Sequence, residues 1–233
     1  MNICVIPARG GSKRISRKNI KMFNGNPMIA YSIRAAIESD SFDRIICSTD
    51  DEEIASIARE YGAETPFLRP SSLSDDFTPT IPVIAHSIEY LQNQGNKIDM
   101  VCCIYATAPF IQPEDIKQSL GKIISDDINY CFSVTSYPFP IQRAIKITQD
   151  LRCKMFQPEL FNTRSQDLED AFHDAGQFYW GRAEAWLQGR IIFSESSEVY
   201  LLPRYRVQDI DTEEDWIRAE SMHEVLNKNN ILK

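Results

Sequence analysis

The sequence predicts an α/β fold in which a mostly parallel sheet is covered by helices on both faces. Three observations carry that prediction. Short, continuously apolar runs recur through the first 135 residues, as expected of strands buried on both sides. Segments with apolar residues at helical spacing alternate with them. Loops of unusual composition follow two of those runs, Pro7 to Asn19 and Ala106 to Pro109, where open α/β sheets present their ligands.

The elements follow in order. Ile3-Cys4-Val5-Ile6 reads as the first buried strand. After a glycine-containing loop, Asn26-Pro27 has the form of an N-cap with proline at the first helical position, and Ile29, Ile33 and Ile37 give the helix one apolar face. Arg44 to Thr49 is a second strand. Asp50-Asp51 then leads a helix with Ile54, Ile57, Ala58 and Tyr61 on one side and Gly62 as its stop. Met100 to Tyr105 is a third strand, Ile116, Leu120 and Ile123 mark a helix, and Tyr130 to Thr135 a further strand. From 136 to 172 the rhythm breaks, apart from a short strand-like Ala144 to Ile147. This segment reads as an excursion that covers a site or meets a partner subunit. Strands return at Gln177 to Trp180 and Val199 to Leu202, and Thr212 with Asp215 announces a last helix striped by Trp216, Ala219, Met222 and Leu226.

At 233 residues the chain is sized for one domain, 1–233, including that excursion. Its net charge of −8 argues against nucleic acid as a partner. The charge is unevenly distributed. Residues 1–37 carry seven cations and no acid, which leaves −15 on the remainder, a pattern expected of a protein built around one anionic ligand. No apolar run approaches the roughly 20 residues of a membrane span, and the amino terminus lacks the form of a signal peptide. The expected setting is the cytoplasm, with no membrane partner. Six cysteines without CxxC spacing, most of them in strand-like runs, read as buried free thiols.

Two constellations carry chemistry. In Pro7-Ala8-Arg9-Gly10-Gly11-Ser12-Lys13-Arg14, paired glycines allow backbone N–H groups to meet an anion, and Arg9, Lys13 and Lys18 can neutralise phosphate oxygens from several sides. It is neither a Walker A loop nor a GxGxxG fingerprint. A turn followed by a solvated basic face is the plainer alternative, but six cations from 9 to 21 without an acid favour a polyphosphate. In Asp209-Ile210-Asp211, extended backbone points both carboxylates to one face, as a hard cation shared with phosphates requires. Acids ahead of a helix are favoured by its dipole in any case. Beside a polyphosphate cradle, the metal reading of this pair prevails.

Other segments leave two readings open. Arg69-Pro70 precedes a polar stretch, Ser71 to Thr80, that either folds over a ligand or is a surface loop. Phe172 to Gln177 groups His173, Asp174 and Gln177 at a strand entrance, as a substrate contact or as a turn. Thr49-Asp50-Asp51 reads as a helix cap, and His86 and His223 as structural.

Ile6-Pro7-Ala8-Arg9-Gly10-Gly11-Ser12-Lys13 with Lys18-Asn19 resembles the opening motif of the CMP-sialic acid synthetase family of cytidylyltransferases. The resemblance continues through Phe42-Asp43-Arg44-Ile45, Ser48-Thr49-Asp50 and Leu68-Arg69-Pro70 to Asp209-Ile210-Asp211-Thr212, nearly the whole chain. Ile104 to Phe110 and Phe172 to Trp180 resemble the bacterial branch that activates pseudaminic acid. At both places the sequence departs from the Gln-Pro-Thr-Ser-Pro and Arg-Pro-Asn-Gly of the sialic acid enzymes.

The resemblance implies a Rossmann-like α/β fold, a homodimer, and a dimerisation arm from 136–172 that brings Arg164 to the partner's site. It implies that Ala8, Arg9, Gly10, Gly11, Ser12, Lys13, Lys18 and Asn19 hold the triphosphate and ribose of CTP, and Arg69 with its loop to Thr80 the cytosine. Asp209 and Asp211 would bind Mg2+, with Arg9 and Lys13 also serving catalysis. Tyr105, Thr107, Arg164, His173, Asp174 and Gln177 would meet a nonulosonic acid. The reaction expected is in-line attack of a nine-carbon sugar acid's anomeric hydroxyl on the α-phosphorus of CTP, giving pyrophosphate and an activated sugar for cell-surface or flagellin glycosylation. The alternatives are a CMP-N-acetylneuraminate or CMP-legionaminate synthetase, a glycosyltransferase with a DxD motif, and a non-catalytic nucleotide-sugar binding protein. The late position of Asp209-Ile210-Asp211 argues against a glycosyltransferase, and the intact Arg9, Lys13, Asp209 and Asp211 against a binding protein.

Overall fold

A computed structural model describes residues 1–123 and 125–232. The apolar run at the amino terminus forms β1 (Asn2–Pro7). A two-residue hairpin, β2 (Met22–Phe23) with β3 (Asn26–Pro27), leads into α1 (Met28–Glu38). Then come β4 (Arg44–Ser48), α2 (Glu52–Glu60), α3 (Thr80–Asn93), β5 (Met100–Ile104), α4 (Pro113–Leu120) and β6 (Tyr130–Ser136). The excursion contains β7 (Ile145–Ile147) and β8 (Cys153–Met155), paired antiparallel with each other and separate from the main sheet. The chain closes with β9 (Phe172–Arg182), α5 (Ala183–Leu187), β10 (Ser197–Leu201) and α6 (Glu213–Lys228).

The main sheet has six strands in the order β10-β6-β9-β5-β1-β4. All pairings are parallel except those of β9, which runs antiparallel to both β5 and β6. Strand side chains alternate between two apolar layers. Cys4, Ile6, Cys47, Cys102 and Ile104 pack with Ile29 and Ile33 of α1, Ile54 of α2 and Ile116 of α4. Ile3, Val5, Ile46, Val101 and Cys103 pack with Ile84 and Ile88 of α3 and Trp186 of α5. Burial on both faces explains why these strands read as continuous apolar runs.

A third cluster joins the two ends of the chain. Ile15, Phe23 and Met28 pack with Ile210, Trp216, Ala219 and Leu226. Ile210, only 1% exposed, thus ties the Asp209-Ile210-Asp211 tripeptide to the basic loop nearly 200 residues earlier. The capping box is present: the Thr212 hydroxyl accepts from the Asp215 backbone, and the Asp215 side chain from the Thr212 N–H.

Two local expectations are corrected. Asn26-Pro27 is not an N-cap dipeptide but a bridge to β2. Pro27 holds the cap position without a side-chain cap, and the Asn26 side-chain oxygen Oδ1 accepts from Arg34 at 2.9 Å. Ile37 does not complete the buried stripe of α1 but lies exposed at its end. No helix among the described residues is long and apolar enough to cross a membrane.

Candidate active site

The carboxyl ends of β1 and β5 open into a cleft of about 380 Å³. Its lining includes Arg9, Ser12, Lys13, Lys18 and Asn19 from the first loop, Arg69 and Thr80 at either end of the polar loop, and Tyr105 and Thr107 after β5. The Asn19 amide donates to the Arg9 carbonyl at 2.9 Å and so holds the loop in its turn.

In three dimensions the cations of this loop all have acidic neighbours, although none is near in sequence. Arg9 donates to the Asp75 carbonyl at 2.9 Å and to the Asp76 carboxylate at 2.6 Å, and Lys13 pairs with the same carboxylate. Lys13 and Arg9 together hold the Asp76 carboxyl below the usual carboxylate range. Arg17 pairs with Asp51 and Glu53, and Lys21 with Glu213. Arg14 and Lys18 both reach Asp211, at 2.8 and 3.3 Å, and Lys18 also donates to the Ile210 carbonyl at 2.7 Å. The stretch that is acid-free in sequence is therefore charge-balanced in the fold by Asp51, Glu53, Asp76, Asp211 and Glu213. Asp75 and Asp76 were not anticipated; their only sequence signal was membership of the polar stretch.

Gly10 serves a different purpose from the one expected. A Cβ there would lie 2.6 Å from the Asp51 carboxylate, and its N–H already donates to Asp50 at 3.0 Å. Its missing side chain makes room for Asp51. A Cβ at Gly11 would meet nothing. Ala8 is buried behind the loop, its N–H bonded to the Ser48 carbonyl. Asp51 caps α2 by accepting from the N–H groups of Glu53 and Ile54, and its bond from Arg17 lowers its carboxyl pKa. Arg69 is buried. Its Nε donates to Ser74 at 3.2 Å, and burial pushes its guanidinium pKa down against the opposing charge of Asp50.

Asp209 and His173 line a second cavity, of about 510 Å³, that shares no lining residue with the first, and Asp211 lines neither. Partial burial and then the charge of Asp211 raise the Asp209 carboxyl, with Lys18 opposing. The described residues contain no group of three or more His, Cys, Asp or Glu side chains arranged for a metal. Asp174 and Gln177 stand behind the first cleft rather than on its wall. Asp174 accepts from the Tyr179 hydroxyl, and Gln177 donates to the Arg206 carbonyl at 2.6 Å. Arg164 is exposed in the excursion, paired with Asp167, and lines neither of these two cavities.

A family model described as cytidylyltransferase matches residues 3–175. The chain is 46% identical over 224 residues to a pseudaminic acid cytidylyltransferase of Campylobacter jejuni subsp. jejuni, covering 96% of this chain and 97% of that protein. It is 31% identical to a CMP-N,N'-diacetyllegionaminic acid synthase of Legionella pneumophila, covering 96% of each. Among solved structures, a CMP:2-keto-3-deoxy-manno-octonic acid synthetase complexed with CTP shares the fold, with a TM-score of 0.68 at 15% identity over 95% of this chain and 97% of that one.

Proposed function

Because the chain belongs to the cytidylyltransferase family, we propose that it transfers CMP from CTP to the anomeric hydroxyl of pseudaminic acid and releases pyrophosphate. It is a CTP-dependent nucleotidyltransferase of the pseudaminic and sialic acid branch. The observation that carries the reading of the site is the Lys18 bridge, which links a cation on the cleft wall to Asp211 and the Ile210 carbonyl.

Arg9 and Lys13, which already hold one anion in Asp76, would take the β- and γ-phosphates and stabilise charge growing on the leaving pyrophosphate. Ser12 and Asn19 would position the triphosphate and ribose, and buried Arg69 with the loop to Thr80 the base. Tyr105 and Thr107 form the wall against which the sugar acid would lie.

Asp209 and Asp211 fit Mg2+ in one respect. The charge of Asp211 raises the cost of ionising Asp209, a repulsion that a cation relieves, and Mg2+ takes only one or two carboxylates when phosphates and water supply its other oxygens. When bound, the ion would neutralise phosphate charge and polarise the α-phosphate. Arg14 and Lys18, now paired with Asp211, would turn to the phosphates.

The excursion, which also carries Arg164, exposes Phe139, Ile147, Phe156 and Phe161, apolar side chains that a second copy of the chain would cover in a homodimer. The 46% identity to a protein named for pseudaminic acid favours that acceptor over legionaminate or N-acetylneuraminate. The test is pyrophosphate release from CTP and Mg2+ with each of the three acids. Pseudaminic acid should give the highest kcat/KM. Preference for another acid would overturn the substrate, and release with none of them the activity.

A further inference from the structure

His223 of α6 is only 5% exposed, and the position of its ring proton follows from its neighbours. The Asn24 amide nitrogen donates to the Glu220 carbonyl at 3.0 Å. A carbonyl only accepts, so this bond fixes which end of the Asn24 amide is the nitrogen. The same nitrogen lies 3.2 Å from His223 Nδ1, and the Asn227 amide nitrogen lies 3.0 Å from it. Nδ1 therefore accepts, and the ring proton sits on Nε2. Burial lowers the pKa of the ring, with Glu224 opposing, and keeps it in this neutral form.

Nε2–H has no nitrogen or oxygen acceptor among the described residues. Around the ring stand Phe23, Tyr31 and Phe110, with centroids 5.3, 5.0 and 5.9 Å away. The donor is nevertheless not sealed in the core. Fully buried polar side-chain atoms without a partner occur, among the described residues, in Ser48, His86, Gln142 and Gln177, and His223 is not one of them. Its free N–H opens instead to a cavity of about 330 Å³, which His223 lines together with residues of α1 and of the segment leading into α4.

The rest of the lining selects what would take that bond. Pro109, Ile111 and Leu232 supply an apolar wall. Arg34 is a cation on the same lining with no carboxylate partner among the described residues; it donates to Asn26 Oδ1 at 2.9 Å and lies 5.2 Å from the Tyr61 ring. A buried N–H and an unmatched guanidinium beside apolar side chains suit a carboxylate carried on an apolar body. Glu38 also lines the cavity, exposed like Arg34, and opposes such a ligand.

We propose that this cavity binds a small organic carboxylate, with His223 Nε2–H and Arg34 as its donors. It shares no lining residue with the cleft that holds Arg9 and Lys13, so the site stands independently of the proposed activity.

The test is titration of the full chain with benzoate, read by calorimetry and by the imidazole N–H proton resonance of His223. A ligand of this size should bind with a Kd on the order of 1 mM and shift that resonance. Benzamide, which keeps the shape without the charge, should bind about tenfold more weakly. Inorganic phosphate, which lacks the apolar body, should leave the resonance in place. Arg34→Gln, a change at an exposed position, should weaken benzoate about tenfold, the order of one hydrogen bond to a charged group. Glu38→Gln should tighten it about twofold, as expected for an exposed charge. Neither heat nor a His223 shift at about 10 mM benzoate would overturn the site. Binding that Arg34→Gln leaves unchanged, or that CTP displaces, would overturn it as well, because the carboxylate would then lie elsewhere. Equal shifts from benzamide or from phosphate would overturn the ligand class.

Discussion

Removing Asp115 should unlock the segment that delivers the two late aspartates. Arg206, three residues before Asp209, grips Asp115 of α4 through two bonds, Nη1 to Oδ2 at 2.5 Å and Nη2 to Oδ1 at 3.2 Å. Both side chains are deeply placed, at 12% and 8% exposure, and the Arg206 carbonyl also accepts from Gln177. Asp115→Ala leaves a buried guanidinium without its counter-charge, and breaking such a pair from one side costs about 3–5 kcal/mol. In a chain of this size each kcal/mol lowers Tm by about 2–4 °C, so the midpoint should fall by about 6–20 °C. Urea denaturation followed by circular dichroism measures the loss directly. The double variant Asp115→Leu with Arg206→Met should recover most of it, because no charge is then stranded. Asp115→Ala should also lower turnover more than it weakens CTP binding, since Arg9 and Lys13 are anchored elsewhere. A loss below about 1 kcal/mol, the size of a surface pair, would show that this clamp does not hold the segment.

Other outcomes follow from the same structure. Asp76→Asn should tighten CTP binding by about fivefold, the order expected when exposed ion pairs that compete with a ligand are removed; isothermal titration giving weaker binding would mean that Asp76 assists the nucleotide. His223 is buried, and its Nδ1 accepts from the amides of Asn24 and Asn227; burial lowers its pKa. The unfolded chain therefore binds the proton first as pH falls through about 6.5, so this contribution to stability is full above that value and is lost below it. Urea midpoints at pH 7.5 and 5.5 should separate more in wild type than in His223→Gln, and equal separation would contradict the assignment. Five of the six thiols are buried, with Cys47 and Cys131 pushed up to about 12. A thiol reagent should accordingly modify Cys153 alone in native protein and all six after denaturation.

What the sequence revealed and what it hid divide along physical lines. Ile3 to Ile6 and Met100 to Ile104 were legible because burial on both faces leaves a continuous apolar run, and the basic loop because glycines and cations stand together. Asp209-Ile210-Asp211 was legible as a pair of carboxylates; Ile210 between them proved to be the apolar anchor that brings the tripeptide to the loop. The antiparallel sense of β9 was hidden, since a buried strand reads the same in either direction. Its bulge, and with it the meeting of Asp174 and Tyr179, depends on the register against β6, which no local pattern carries. The ion partners of the loop were hidden for the same reason: Asp51, Asp76 and Asp211 are distant along the chain. Asn26-Pro27 misled because the dipeptide suits a helix start and a tight hairpin equally well.

The central claim is that the amino-terminal loop and the late aspartates grip one metal-bound CTP. Diffraction from crystals grown with CTP and Mn2+ tests it most directly. The account predicts triphosphate density between Arg9, Lys13 and Lys18, with an anomalous manganese peak that joins a phosphate oxygen to Asp209 and Asp211. A triphosphate bound away from that loop, or manganese bound without either aspartate, would contradict it.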